Sequence, residues 1–229
     1  MKRLPMAIIQ MGDPPDEIAA RAGGQAQWFA AALGDEEPVE IYRPWLDEAL
    51  PEPDSVCGAI ITGSWSMVTD NHPWSEVTAA WLRRAFHAGL PLFGICYGHQ
   101  LMASALGGEV IFHPEGLEVG QKQITLTEAA RCDPLLANFP QQFDVFLSHY
   151  QTVKTLPQGA TALATSAHDA HQIVRYAPHA LSVQFHPEFT PQIMAVMLDT
   201  GHPQHHPTKA LHGTPCARRL MQQVVAGWG

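Results

Sequence analysis

The run Phe93-Gly94-Ile95-Cys96-Tyr97-Gly98-His99-Gln100 decides how the rest of the chain is read. An apolar stretch, Leu90-Pro91-Leu92-Phe93, leads into it, and a helix-periodic one, Leu101-Met102-Ala103-Ser104-Ala105-Leu106, follows at once. That order predicts a buried strand, a turn too tight for bulky flanks, and then a helix. It has the logic of the Gly-x-Ser-x-Gly nucleophile elbow, with a thiol replacing the hydroxyl. Gly94 and Gly98 let the backbone take a strained conformation and keep Cβ atoms out of the way. At a helix N-terminus the positive end of the helix dipole favours a thiolate. Most free cysteines are buried and inert; the paired glycines at a strand-to-helix junction make Cys96 a candidate nucleophile instead.

Upstream of this run, strands are expected at Met6–Met11, Val39–Tyr42 and Val56–Thr62, with helices at Asp16–Leu33 and Trp74–Ala88. The proline-punctuated stretch Pro44–Ser55 reads as loop. Strands alternating with helices point to right-handed βαβ crossovers and a parallel sheet. Ligands of such sheets bind beyond the carboxyl ends of the strands, where both Gly63-Ser64 and Cys96 fall. After Gly107-Gly108 the pattern changes to short strand-like runs at 110–112, 123–126, 143–147, 161–164, 172–176 and 181–185. These predict antiparallel hairpins packed beside the parallel core. Helical patterning returns at Thr190 and again at Ala217–Val225, with a loop rich in His and Pro over 201–215. The expected fold class is α/β: a central, mostly parallel sheet flanked by helices, with a smaller antiparallel sheet, in a single domain over 1–229.

Composition narrows the function. The 229 residues are 46% hydrophobic and 15% charged, as suits an enzyme with a buried sheet. A formal charge of −9 argues against nucleic acid as a partner. No apolar stretch reaches membrane-spanning length. The N-terminal Met1–Ile9 is basic and then apolar, but Gln10, Asp13 and Asp16 cut it too short for a signal peptide. Cys57, Cys96, Cys132 and Cys216 show no CxxC spacing, so a reduced, cytoplasmic setting is expected. His202, His205, His206 and His212 match no compact zinc site, and no metal is expected.

A cysteine nucleophile needs an imidazole to take its proton and a third group to orient that imidazole. With 13 histidines in the chain, position has to choose among them. The alternating run Leu181-Ser182-Val183-Gln184-Phe185 delivers His186 at a strand end, Pro187 stops the strand, and Glu188 can fold back towards the ring. His99 would share a helix with Cys96 and reads as a core or supporting histidine.

Together, Gly94-Ile95-Cys96-Tyr97-Gly98-His99-Gln100 and His186-Pro187-Glu188 resemble the triad motifs of the class I glutamine amidotransferases, which have a flavodoxin-like core. Ile60-Ile61-Thr62-Gly63-Ser64 resembles that family's oxyanion strand, and Ser148-His149-Tyr150-Gln151-Thr152-Val153 its substrate-binding loop. The resemblance implies Cys96, His186 and Glu188 as catalytic triad and the amides of Gly63 and Tyr97 as oxyanion donors. It implies Ser64, Gln100, His149 and Tyr150 as contacts to the substrate. The implied reaction takes L-glutamine to glutamate and ammonia through a γ-glutamyl thioester, with no cofactor. Glu118-Val119-Gly120 reads equally as a feature near the pocket and as a solvated loop. Many relatives carry an acidic residue or glycine where this chain has Tyr150-Gln151, and many nucleotide-biosynthetic members carry Gly-Gly-Pro where it has Ile61-Thr62-Gly63-Ser64. Neither GxxxxGK[ST] nor Ser-Gly-Gly-x-Asp-Ser occurs. The chain is thus expected to supply a glutaminase, with any ammonia acceptor on a separate synthetase protein. The alternative is a γ-glutamyl peptidase or hydrolase that passes no ammonia on.

Overall fold

Met6-Ala7-Ile8-Ile9, Gly58-Ala59-Ile60-Ile61 and Leu92-Phe93-Gly94-Ile95 are apolar at every position and therefore need cover on both faces. In the computed structural model, which describes residues 4–34, 38–205 and 209–228, they receive it. The elements in chain order are β1 (Met6–Ile9), α1 (Asp16–Ala22), α2 (Gln25–Leu33), β2 (Val39–Tyr42), β3 (Gly58–Ile61), α3 (Pro73–His87), β4 (Leu92–Ile95) and α4 (Tyr97–Ala105). There follow β5 (Glu109–Phe112), β6 (Glu118–Leu126), β7 (Gln142–His149), β8 (Gln151–Thr155), β9 (Thr161–Thr165), β10 (Ile173–Ala177), β11 (Ala180–Val183), α5 (Pro191–Gly201) and α6 (Pro215–Ala226).

Among the described residues one nine-stranded sheet runs in the order β2-β1-β3-β4-β11-β10-β9-β6-β7. The pairings from β2 to β11 are parallel and those from β11 to β7 antiparallel. Successive side chains leave a strand on opposite faces. Ile60, Phe93, Ile95 and Val183 accordingly pack with Phe29 and Ala32 of α2 and Leu220, Met221 and Val224 of α6. Ala59, Ile61, Leu92 and Ala180 pack with Ala79 and Leu82 of α3 and Leu101 and Met102 of α4. Each large side chain buried this way contributes about 1.5–3 kcal/mol.

Three expectations need correction. The helix expected over 16–33 is two helices, because Gly23 takes φ 81° and closes α1 by donating its N–H to the Ala19 carbonyl. Gln27 Oε1 then accepts the Gly24 N–H at 3.1 Å to start α2. Adjacent glycines cost a helix about 1 kcal/mol each, so the break falls there. The hairpins after residue 107 mostly extend the main sheet itself, while among the described residues β5 and β8 form the expected smaller antiparallel sheet. β6 starts at Glu118 rather than Gln123, since its register with β7 continues unbroken from Thr125↔Gln142 to Glu118↔His149. The loop expected at 201–215 lies partly outside the described residues.

Gly98 presses α4 against β3 so closely that a Cβ there would run into the Ile61 carbonyl. Gly98→Ala is expected to cost about 1–3 kcal/mol of stability through overpacking. Urea unfolding measures it, and an unchanged midpoint would contradict this packing.

Candidate active site

The site grows out of three neighbouring strand ends. β3, β4 and β11 lie side by side, with Ile61 level with Gly94 and Val183 level with Ile95. Gly63, Cys96 and His186 follow those three strands and so emerge at one edge of the sheet. The Cys96 N–H donates to the Val183 carbonyl at 2.9 Å, and the His186 N–H to the Phe146 carbonyl at 2.8 Å. Cys96 has φ 51° and ψ −103°, outside the favoured regions for a side-chain-bearing residue. Such strain costs about 1–3 kcal/mol and persists only where the surroundings enforce it. Here they do: a Cβ on Gly94 would lie 2.6 Å from Met102 Sδ and 2.7 Å from the Gly98 carbonyl oxygen.

His186 Nδ1 donates to Glu188 Oε1 at 2.7 Å, which directs Nε2 at Cys96. The imidazole lies near enough to the Cys96 sulfur for their charges to interact. Burial alone would pull the His186 pKa down, but the charges of Glu188 and Cys96 outweigh it and raise the value to about 10. Gly63 lines the gap between the two groups. A Cβ on it would sit 2.9 Å from His186 Cε1 and 3.6 Å from Cys96 Cβ, so no side chain fits without displacing the ring.

The Thr62–Gly63 peptide is held from behind. Its carbonyl accepts the Gly98 N–H at 3.1 Å, which turns the Gly63 N–H of the trans peptide to the opposite side. The Gly63 carbonyl accepts Gln25 Nε2 at 3.0 Å, and Thr62 Oγ1 donates to Gln25 Oε1 at 2.7 Å. Tyr97 opens α4, so its amide has no carbonyl to meet within the helix. Its ring lies in the core with the phenol bonded to Ser75 Oγ at 2.6 Å, and burial raises that phenol's pKa to about 12.

Ser64, Gln100, His149 and Tyr150 all line the cleft that also holds Cys96. Two of them are already committed to protein partners. Gln100 Nε2 donates to the Gln151 carbonyl at 2.8 Å and to Gln184 Oε1 at 3.0 Å. His149 Nδ1 lies 2.8 Å from the Gln151 carbonyl oxygen and Nε2 lies 2.9 Å from Glu118 Oε2. Glu118 also accepts the Ser166 hydroxyl at 2.8 Å and Gln172 Nε2 at 3.0 Å. With His149, Ser166 and Gln172 gathered on one carboxyl group, Glu118 and His149 form a buried, hydrogen-bonded pair. The pair holds the tip of the β7–β8 hairpin, where the Ser148 carbonyl oxygen lies 3.8 Å from Cys96 Sγ.

Glu118 is therefore a strand residue facing His149 across the β6–β7 register, not a solvated loop residue. Gln25 and Gln151 are further supports that sequence reasoning missed; a single glutamine carries no pattern to find. Glu118→Ala leaves the donors of His149, Ser166 and Gln172 without their shared acceptor and is expected to cost about 1–3 kcal/mol or more. Equilibrium urea unfolding measures this, and a loss below the range for a surface ion pair would show the pair to be unimportant.

His99 is fully buried, with Nδ1 on Ser182 Oγ at 2.7 Å, and burial lowers its pKa to about 3, so it stays neutral. Cys57, Cys132 and Cys216 do not line the cleft. Among the described residues no group of three or more His, Cys, Asp or Glu could hold a metal ion, and no helix is long and apolar enough to cross a membrane. The cleft has a volume of about 290 Å³. Ser64, α4 and the β7–β8 tip give it polar lining, while Ile18 of α1, Trp28 of α2, Met197 of α5 and Phe189 give it apolar lining, with Glu17, Gln25 and Thr200 on the same helices.

A family model described as glutamine amidotransferase class-I matches residues 38–200. Gamma-glutamyl peptidase 5 of Arabidopsis thaliana is 27% identical over 77% of this chain and 72% of its own length. The glutamine-hydrolyzing GMP synthase of Aquifex aeolicus is 26% identical over 83% of this chain and 34% of its own. A crystal structure of a glutamine amidotransferase from Thermotoga maritima superposes with a TM-score of 0.78 at 18% identity, covering 100% of this chain and 99% of that one. The chain spans about a third of the length of the GMP synthases it matches. The protein is an enzyme of the amidotransferase class. More narrowly, the chain belongs to the class-I glutamine amidotransferase family.

Proposed function

We propose that the protein hydrolyses γ-glutamyl amides, L-glutamine being the simplest, through a thioester on Cys96. The Cys96 thiolate attacks the amide carbon, and the oxygen's developing charge is met by the amides of Gly63 and Tyr97. His186 gives its proton to the departing nitrogen, and ammonia or an amine leaves. Neutral His186 then takes a proton from water as that water attacks the thioester, and glutamate departs with the thiolate restored. Glu188 holds the imidazole in the orientation both steps need. His149 acts through the hairpin tip it braces, leaving Ser64 and Tyr150 to meet the glutamyl group directly. Gln100 keeps only its side-chain oxygen for that purpose.

The observation that carries this reading is the row Cys96–His186–Glu188 across adjacent strand ends, with Gly63 beside it. Transfer of the ammonia to a separate synthetase protein is supported by the likeness to GMP synthases. Hydrolysis without transfer is supported by the likeness to a γ-glutamyl peptidase over most of that protein's length. The test supplies L-glutamine and a γ-glutamyl dipeptide, follows glutamate, ammonia and amino acid, and looks for a γ-glutamyl adduct on Cys96 by mass. Release of glutamate with that adduct supports the reading. No release from either substrate, and no adduct, sinks it.

A further inference from the structure

We infer that the outer cleft is a subsite for an apolar or aromatic, carboxylate-free group on the leaving nitrogen, making N-substituted γ-glutamyl amides better substrates than L-glutamine. The inference rests on the γ-glutamyl chemistry proposed above and specifies its substrate class.

An aromatic row starts at the proton donor and runs outward. Phe189 stacks on His186 with ring centroids 4.0 Å apart and planes at 12°. Trp28 meets Phe189 edge-on at 5.5 Å, and Trp65 lies 6.5 Å from Trp28. Ile18 and Met197 complete this wall. Trp28 and Phe189 are almost wholly buried, whereas Trp65, two residues beyond Gly63, is 36% exposed at the cleft. Ammonia needs no such surface. An indole left partly open at the outer end of this row fits a ligand that covers it, as apolar pocket walls commonly do.

Reaction geometry says which part of the ligand that is. The departing nitrogen has to lie within hydrogen-bond reach of His186 Nε2 to be protonated. The glutamyl end, with its ammonium and carboxylate, belongs against the polar wall of Ser64, Ser148 and Tyr150. A substituent on the nitrogen is then led along the His186–Phe189–Trp28–Trp65 row.

Charge decides what that substituent carries. Among the described residues no Lys or Arg lines the cleft, while Glu17 and Glu188 do. The glutamyl end is a zwitterion and balances itself. An amino acid joined through its nitrogen keeps only a carboxylate, which would find no Lys or Arg here; the His186 imidazolium is already paired with Glu188, and Glu17 is a further acidic neighbour. A neutral amine with a ring or alkyl group meets no such penalty.

The test compares kcat/KM of the full chain for γ-glutamyl benzylamide, L-glutamine and γ-glutamylglycine by glutamate release. The benzylamide is expected to exceed both by about 10-fold or more, the scale on which an apolar pocket discriminates. Trp65→Ala is expected to remove most of that advantage, and Trp65→Phe to keep most of it. A benzylamide no better than glutamine, or a Trp65→Ala variant slowed in equal proportion on all three, overturns the inference while leaving γ-glutamyl hydrolysis standing. No turnover of any of the three, with no adduct on Cys96, defeats the underlying reading itself.

Discussion

Cys96→Ser is expected to lower turnover of any γ-glutamyl amide by about 10⁴-fold or more while the protein keeps its fold, since losing a nucleophile costs on that scale. A serine hydroxyl fits the space of the thiol, so the strained turn between Gly94 and Gly98 survives. Its proton, however, is held far more tightly near neutral pH, so the nucleophile is far harder to ionise. Unchanged circular dichroism with lost glutamate release is the expected result; a normal rate would remove Cys96 from the chemistry. An alkylating glutamine analogue gives a second readout. It should label Cys96 and spare Cys132, although Cys132 is exposed and Cys96 is buried. Labelling of Cys132 instead would mean that the cleft does not select its ligand.

Glu188→Gln is expected to cut kcat by about 100-fold or more, as loss of the orienting carboxylate does in comparable triads. It should also move the alkaline limb of the pH profile. Against the pull of burial, Glu188 and Cys96 hold the His186 pKa up at about 10, so the proton needed by the leaving nitrogen is present at neutral pH. In the wild type kcat/KM should hold through neutrality and fall as the pH passes about 10. Without the Glu188 charge the imidazolium is less stable, and the fall moves to lower pH. Stability follows the same sign. The folded value lies above the ordinary 6.5, so this contribution is complete below 6.5 and is lost as the pH rises through about 10. An alkaline limb in the same place for both proteins would show that Glu188 does not set the charge on His186.

The catalytic residues proposed here were legible in the sequence because each sits in a short segment with strong punctuation. Gly94 and Gly98 mark the turn at Cys96, and Pro187 ends the run that delivers His186. The parallel half of the sheet was legible for a related reason: strands covered on both faces read as unbroken apolar runs. Its antiparallel half was harder. The polar stretch Gln121-Lys122-Gln123 hides the first part of β6, whose existence depends on backbone pairing with β7 rather than on side-chain alternation. Glu118 became legible only when that register set it opposite His149. Gln25 is a similar case, since its role depends on where Gly23-Gly24 breaks the helix. Distances along the chain say nothing about either contact.

β11 comes last of the strands along the chain yet occupies the middle of the sheet, between β4 and β10. During synthesis, the edges of β4 and β10 therefore stay unpaired until residues 180–183 have emerged. Insertion of that one segment joins the two halves and brings the imidazole to the sulfur in the same event. Pairing across so large a sequence separation is slow, and open strand edges invite aggregation in the meantime. Catalytic competence should thus arrive late and all at once in refolding, well after the helices have formed.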